Sequence, residues 1–560
     1  MQLHSKVCPS FHVTTPEVKI SLDGVSESKS TTNSLDVYSS KFSKCRNIYP
    51  HRIVRPLNKY KVDNRQEFSS FLEDLRDNAC QVTDFVGDNP KRATVREALT
   101  HAGYYACEYC EGKAVQSKTH DEDDKELDKK YLTQIRDIEK KIDLLQNAPC
   151  STSSLKVNED QINMLISIKT DIENQMKRDK KKSHLVWPSS TGNANLRDID
   201  TIREIVDNID LSENGDIPPL TQDELKGFTG HSLLLDVPDF DFVNGISCEY
   251  MHSICLGVVK RMLVLTFNLN EKRPRKTTRR LTSPSVYNNL MKSVKVPKEF
   301  SRRARNMDIS VFKAQEFRNI ALFFFVTIVH SIEKNAKERR LWCLLSFMTR
   351  SCCIPDEEFY NVNEQDIVQC SQQFYALYEK LFTVKNCTYN THVFSSHLLQ
   401  MRSRGPLTET SAFSFEAFYA ELRRSFTPGT VSPVKQMLQK VMLRRSLTSH
   451  CCQTSIHLAA KDTQLECNSL IYTFLNNSHH FFVIDNIDND NPDILNCYAQ
   501  GRFPFCFNET PALNWSAVGV YKLGPVSEEI TQVHRCHVRG KVIKVLNYLI
   551  TCPINILREK

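Results

Sequence analysis

The sequence lacks any apolar run long enough to cross a bilayer. Its longest, Ile320 to Val329, is about ten residues, half of what a spanning helix requires. No membrane partner is therefore expected. The opening residues, Met1-Gln-Leu-His-Ser-Lys-Val-Cys8, also lack the apolar stretch of a secretory leader. The 20 cysteines are accordingly expected as reduced thiols of a cytosolic or nuclear protein, not as a disulfide framework. A strong charge imbalance is missing too: a formal net charge of +7 permits contact with nucleic acid without demanding it. With 560 residues, the chain has room for roughly three or four domains, each with its own core.

What is present begins with Thr100-His-Ala-Gly-Tyr-Tyr-Ala-Cys107-Glu-Tyr-Cys110. Two thiolates with two residues between them can hold one face of a tetrahedral zinc ion. A closed structural site needs two more ligands, usually Cys or His. The bland alternative is a free redox or packing pair.

Upstream, Val18-Lys-Ile-Ser-Leu-Asp23-Gly24 reads as a β-branched strand ending in Asp-Gly, and Leu35 to Tyr38 and His51 to Val54 read as further strands. Phe68, Phe71, Leu72 and Leu75 recur at helical spacing within Arg65 to Asn78. A short strand, Gln81-Val-Thr-Asp-Phe-Val86, then runs into Gly87-Asp88-Asn-Pro90, and a helix is expected from about Ala93. This order sets one Asp near the end of the first strand and another just past the fourth. An RNase H-like fold places two metal-binding carboxylates side by side in that way, because its first and fourth strands are neighbours. An isolated Asp-Gly or Gly-Asp is ordinarily just a turn; the order of elements is what gives these two weight.

From His120 the composition shifts. Tyr131, Ile135, Ile138, Ile142 and Leu145 form a heptad seam, and Val157 to Met176 is a second amphipathic stretch closing in the basic run Lys177 to Lys182. A helical hairpin inserted in the fold is the economical reading, with an intermolecular coiled coil as its rival. A second basic cluster, Lys272 to Arg280, lies in a Pro-broken loop and suits either phosphate contact, a nuclear address or plain solvation. Residues 308–386 are mostly helical by periodicity and look like buried packing. They lead to His392 and His397, whose spacing of five does not share a helix face well, so gripping one ion would need a bend or a helix start. Structural histidines are the ordinary alternative. Glu416 follows, an acid between Phe415 and Phe418.

Several of these blocks resemble DDE transposases of the CACTA (En/Spm) group. Asp88-Asn-Pro followed by His101-Ala-Gly-Tyr-Tyr-Ala-Cys107-Glu-Tyr-Cys110 is similar to their second aspartate and Cys-x-x-Cys block. Glu249-Tyr-Met-His252 followed by Leu256-Gly-Val-Val-Lys260 is similar to their Asp/Glu-x-Met-His block. Pro297 to Arg303 with Phe312 to Arg318 resembles their central helical insertion, and the His pair with Phe413-Ser-Phe-Glu416-Ala-Phe-Tyr419 resembles their paired-His and catalytic Glu blocks. The blocks keep one order between about residue 18 and residue 445. The resemblance implies Asp23, Asp88 and Glu416 as catalytic acids holding Mg²⁺ or Mn²⁺, and Cys107, Cys110, His392 and His397 as ligands of a structural Zn²⁺. Glu249 competes for the third acidic position, but the spacing of Glu416 from the His pair is what a zinc-drawn active site requires.

The expected fold is therefore α/β: an RNase H-like catalytic core interrupted by a large, mainly helical insertion, with a small β-rich domain at the C-terminal end. Residues 1–118 form the first part of the core, 119–185 the charged hairpin, 186–390 the helical insertion, 391–445 the completing paired-His and Glu segment, and 446–560 the β-rich domain. The cysteines and histidines of that last domain are expected as packing residues. The expected function is a nuclear transposase-like DNA nuclease and strand transferase, acting on transposon ends and target DNA as a homo-oligomer. A catalytically inactive DNA-binding derivative and a zinc-stabilised interaction scaffold are the alternatives.

Overall fold

The structure is a computed structural model that describes residues 17–26, 34–42, 48–54, 65–77, 80–86, 89–116, 122–146, 161–170, 172, 185–246, 248–269, 283–294, 296, 297, 300, 302, 305–333, 335–359, 361–424, 436, 439, 465–488, 491–504 and 506–553. Asp88 and the basic runs 177–182 and 272–280 lie outside these residues, and of Asp23 only the backbone is described. Helix and strand are mixed throughout, which agrees with the α/β expectation. The chain divides into two compact units, residues 1–113 with 188–560, and residues 114–187.

In the larger unit, strands β1 (Glu17–Ser26), β2 (Ser34–Phe42), β3 (Ile48–Val54) and β4 (Gln81–Phe85) form a sheet in the order β3-β2-β1-β4. The first three are antiparallel, whereas β4 lies parallel to β1 with Ile20 opposite Phe85. Helix α1 (Arg65–Asp77) makes the β3-to-β4 crossover and α2 (Asn89–Val95) follows β4. A strand alternates its faces with period two. Val18 and Ile20 of β1 accordingly pack with Phe68, Phe71 and Leu75 of α1 and with Ile202, Ile205, Val206 and Ile209 of the helix Ile199–Asn214. That helix is fixed at both ends: the Asp198 side chain accepts from Thr201 N–H, and Gly215 ends it at φ 83°. Ser21, in the other alternation, meets the hydroxyl of Tyr419 at 3.1 Å, so the helix Phe413–Arg424 covers the second face.

The apolar run Ile320 to Val329 is wholly buried, in a π-turn Ile320–Phe324 and the helix Phe325–Ser331. Among the described residues, no helix is long and apolar enough to cross a membrane. Six C-terminal strands close into a barrel in the order β10-β12-β11-β7-β8-β9, with β7 Leu470–Leu475, β8 Ser478–Ile487, β9 Ile494–Phe503, β10 Val520–His534, β11 Val538–Val545 and β12 Tyr548–Pro553. Closure removes the exposed edges that short strands would otherwise present. The barrel is tied to the helical region by buried polar bonds. Arg350 donates to the carbonyls of Val518, Thr551 and Leu322, and His479 of β8 bridges Glu358 at 2.9 Å and Tyr521 at 3.0 Å. His479 is thus a polar anchor of the barrel as well as a packing residue.

The smaller unit holds α3 (Glu122–Gln146), a second helix over 161–170, and a two-strand pairing of β5 (Val115–Gln116) with β6 (Leu185–Val186). Lys169 reaches across from the second helix to Glu139 of α3 at 2.7 Å, so the two helices of this unit are neighbours.

Candidate metal centre

Cys107, Cys110, His392 and His397 are all buried, and one ligand atom from each lies within 4.8 Å of the others. Cys110 Sγ stands 3.4 Å from His392 Nε2, across a sequence separation of 282 residues. Bonds of about 2.3 Å to sulfur and 2.0–2.1 Å to nitrogen put S and N about 3.5 Å apart in a tetrahedral zinc site, so this spacing fits without rearrangement. The five-residue spacing of the histidines is accommodated by a break. Thr388 caps the helix Tyr389–Ser396, which carries His392; His397 then sits at φ −129°, ψ 22°, between that helix and the next, Leu398–Arg402. The bend brings the two rings to 5.1 Å between centroids.

The donor set itself points to a cation. Both ring nitrogens of His397 are buried with no hydrogen-bond partner, which an imidazole rarely tolerates unless one nitrogen binds metal. His392 directs Nδ1 to Thr191 Oγ1 at 3.2 Å, the outer contact that fixes the ring so that Nε2 faces inward. Cys110 Sγ accepts the Gly112 N–H at 3.3 Å. Burial pushes the Cys107 thiol up, while the bond from Cys107, outweighing burial, draws Cys110 down with help from Gly112. The two shifts run oppositely because the cysteines share one proton as donor and acceptor; a dication would replace it and hold both as thiolates.

Around this cluster lies a buried network that the sequence does not announce. Glu108, between the two cysteines, pairs with Arg92 of α2 at 3.2 Å and accepts the hydroxyl of Tyr389, three residues before His392. Arg92 also reaches Cys248 Sγ at 3.3 Å, and Cys248 N–H donates to Tyr109. Burial would raise the Glu108 carboxyl, but Arg92, Arg96 and the Tyr389 hydroxyl outweigh it and hold it below its ordinary range. Arg197, its guanidinium brought down to about 10 by burial and then by Arg96, donates to the carbonyls of Cys107, Tyr105 and Lys226. The only sequence signals for these residues were position: Glu108 inside the Cys-x-x-Cys and Tyr389 one turn before His392.

The acidic candidates are placed unequally. Asp23, in β1, pairs through its backbone with Val37 of β2, and Asp88 is outside the described residues. Glu416 stands on the helix Phe413–Arg424, partly exposed, with Oε1 4.0 Å from His252 Nε2. Glu249, its competitor for the third position, is 1 % exposed and fully engaged. It accepts from Met251 N–H at 2.7 Å, Ala412 N–H at 3.0 Å, and both the N–H and Nδ1 of His252 at 2.5 Å. Burial raises its carboxyl, but the His252 imidazole and these N–H groups prevail and hold it below the ordinary value. Asp84 of β4, a carboxylate not singled out in the sequence, lies 3.5 Å from both Lys19 and Arg404 and anchors β4 to the segment after Arg402. Searches against family models and curated proteins returned no match to this chain.

Proposed function

We propose that this chain is a transposase-type DNA nuclease and strand transferase with an RNase H-like core. The observation that carries the reading is the convergence of Cys107 and Cys110 with His392 and His397, which ties the segment after β4 to the segment before Glu416. In this reading the zinc is structural, since four protein ligands leave no position for substrate.

The sheet supports the reading. Its order, with β4 parallel to β1, is the one this reading expects, and in the sequence Ile20 and Phe85, the last described β1–β4 pair, precede Asp23 and Asp88 by three residues each. The helix Phe413–Arg424, which carries Glu416, meets β1 through Tyr419 and Ser21. Asp23, Asp88 and Glu416 would hold Mg²⁺ or Mn²⁺, which when bound activates the attacking oxygen and stabilises the leaving oxygen of a phosphodiester. The protein's own part is placement: Glu249, by accepting from Ala412 N–H, fixes the start of the helix that presents Glu416.

The test incubates the purified chain with supercoiled plasmid, and with labelled DNA carrying the sequences that flank its coding region, in Mg²⁺ or Mn²⁺. Nicking or strand joining is expected, abolished by Asp88→Ala and by Glu416→Gln. DNA binding without either product would leave only the inactive derivative standing.

A further inference from the structure

We propose that the smaller unit docks on a second copy of this chain, through an exposed ridge of Met164 and Ile168 on its second helix. The contact concerns how copies associate and stands whether or not the chain cuts DNA.

The second helix is too widely apolar for a single neighbour. At about 100° per residue, Met164, Ile168, Ile172, Leu165, Ile162 and Ile166 follow one another over an arc of about 200°, roughly twice the stripe of a helix that lies on one partner. Helix α3 covers only the middle of that arc. Lys169, which falls within it, reaches Glu139 of α3 at 2.7 Å, and Ile162, Leu165 and Ile172 around it are half-buried. Both flanks stay open: Met164 is 66 % and Ile168 38 % exposed on one, Ile166 47 % on the other. No described residue of either helix is buried, so the pair has no closed core of its own.

Ridge spacing and charge name the occupant. Met164 and Ile168, four residues apart, form the kind of ridge that packs between the ridges of another helix. Charge separates the two flanks. Ile166 shares a groove with Ile142 that Glu139, Asp143 and Lys169 rim with charge. Lys169 is the one charged residue among the described residues of the second helix, and it turns to α3. The Met164 flank therefore offers a nucleic acid no cation to grip. A two-fold axis beside residue 166 sets Met164 of each copy against Ile168 of the other, with no described charge of this helix opposed to its own image. Self-complementarity of that kind is what a contact between identical copies requires.

The test measures the mass of the zinc-loaded, full-length protein by light scattering behind a sizing column, across a dilution series. A dimer is expected. Met164→Glu combined with Ile168→Glu should raise its dissociation constant at least about 100-fold. Val368→Glu, at a 42 % exposed residue of the larger unit, should leave it unchanged. If the double variant misfolds by circular dichroism, photo-reactive benzoylphenylalanine at position 164 of the otherwise parent chain decides instead, because its adduct with the second copy must fall within about one turn of Ile168. A dimer that survives the folded double variant, or an adduct elsewhere, overturns the inference. So does a chain that is monomeric throughout the series, including one that binds a different protein through this ridge.

Discussion

Replacing Arg92 with Met removes the guanidinium that pairs with Glu108 and leaves a long apolar stem in its place. Glu108 is 2 % exposed, so water cannot substitute for the lost partner. With only Arg96 and the Tyr389 hydroxyl left to it, the buried carboxylate costs up to about 3–5 kcal/mol if it stays charged. It can escape by taking up a proton, and that route sets a ceiling. Protonating a carboxyl with an unfolded pKa of about 4.3 costs about 1.4 kcal/mol for each pH unit above that value, hence about 4 kcal/mol at pH 7 and about 1 kcal/mol at pH 5. In the parent protein burial is outweighed by Arg92, Arg96 and Tyr389, the Glu108 pKa is depressed, and the group is ionised in both folded and unfolded chains over this range. It therefore contributes no slope there in the parent. The deficit of Arg92→Met should thus shrink by up to about 1.4 kcal/mol per unit as pH falls from 7 to 5, above a constant loss from packing and from the Cys248 contact. Urea unfolding of both proteins in excess zinc, followed by tryptophan fluorescence at each pH, measures it. A deficit that does not change with pH would refute the assignment of Glu108 as a charge held by Arg92.

Further expectations concern the barrel and the acid limb. Arg350→Met leaves the carbonyls of Val518 and Thr551 without this donor in a buried setting, at about 1–3 kcal/mol each, and limited proteolysis should then cut faster around the barrel than in a Lys522→Met control. Gly519→Ala combines a backbone at φ 73° with a new Cβ 1.9 Å from Thr551 Oγ1; its urea midpoint should fall clearly, and a midpoint equal to the parent's would show that this turn is not as tight as described. Glu249 has a depressed pKa, so its contribution is present above its unfolded pKa and is lost as pH falls through the lower folded one. Glu249→Gln should consequently flatten the acid-side decline in stability below about pH 4.3, seen by circular dichroism.

The local elements were legible where periodicity carried them. Val18 to Leu22 reads as a strand and forms one, and the spacing of Phe68, Phe71 and Leu75 marks the buried face of α1. The sequence places the start of α2 near Ala93, because Asn89-Pro90 resembles a turn; proline in a first helical turn loses no hydrogen bond, and the helix begins at Asn89. The segment after Glu249 shows ordinary amphipathic spacing, yet it winds as a π-helix over Met251–Val259 before becoming α-helical. The four cluster ligands were named from motif resemblance and come together, with the bend at His397 answering the awkward spacing. Pairings between distant charges were not legible: nothing in the sequence says which of many arginines meets Glu108, or that β9 and β10 close a barrel. Such partners are chosen by tertiary packing, which leaves no periodic trace.

The metal cluster joins the two halves of the proposed core, and X-ray absorption at the zinc edge on the purified chain tests it. One zinc per chain with two sulfurs at about 2.3 Å and two nitrogens at about 2.0 Å is expected, lost in Cys107→Ser and in His397→Ala. A protein that folds and melts normally without zinc, or one whose zinc has no sulfur neighbours, would contradict it.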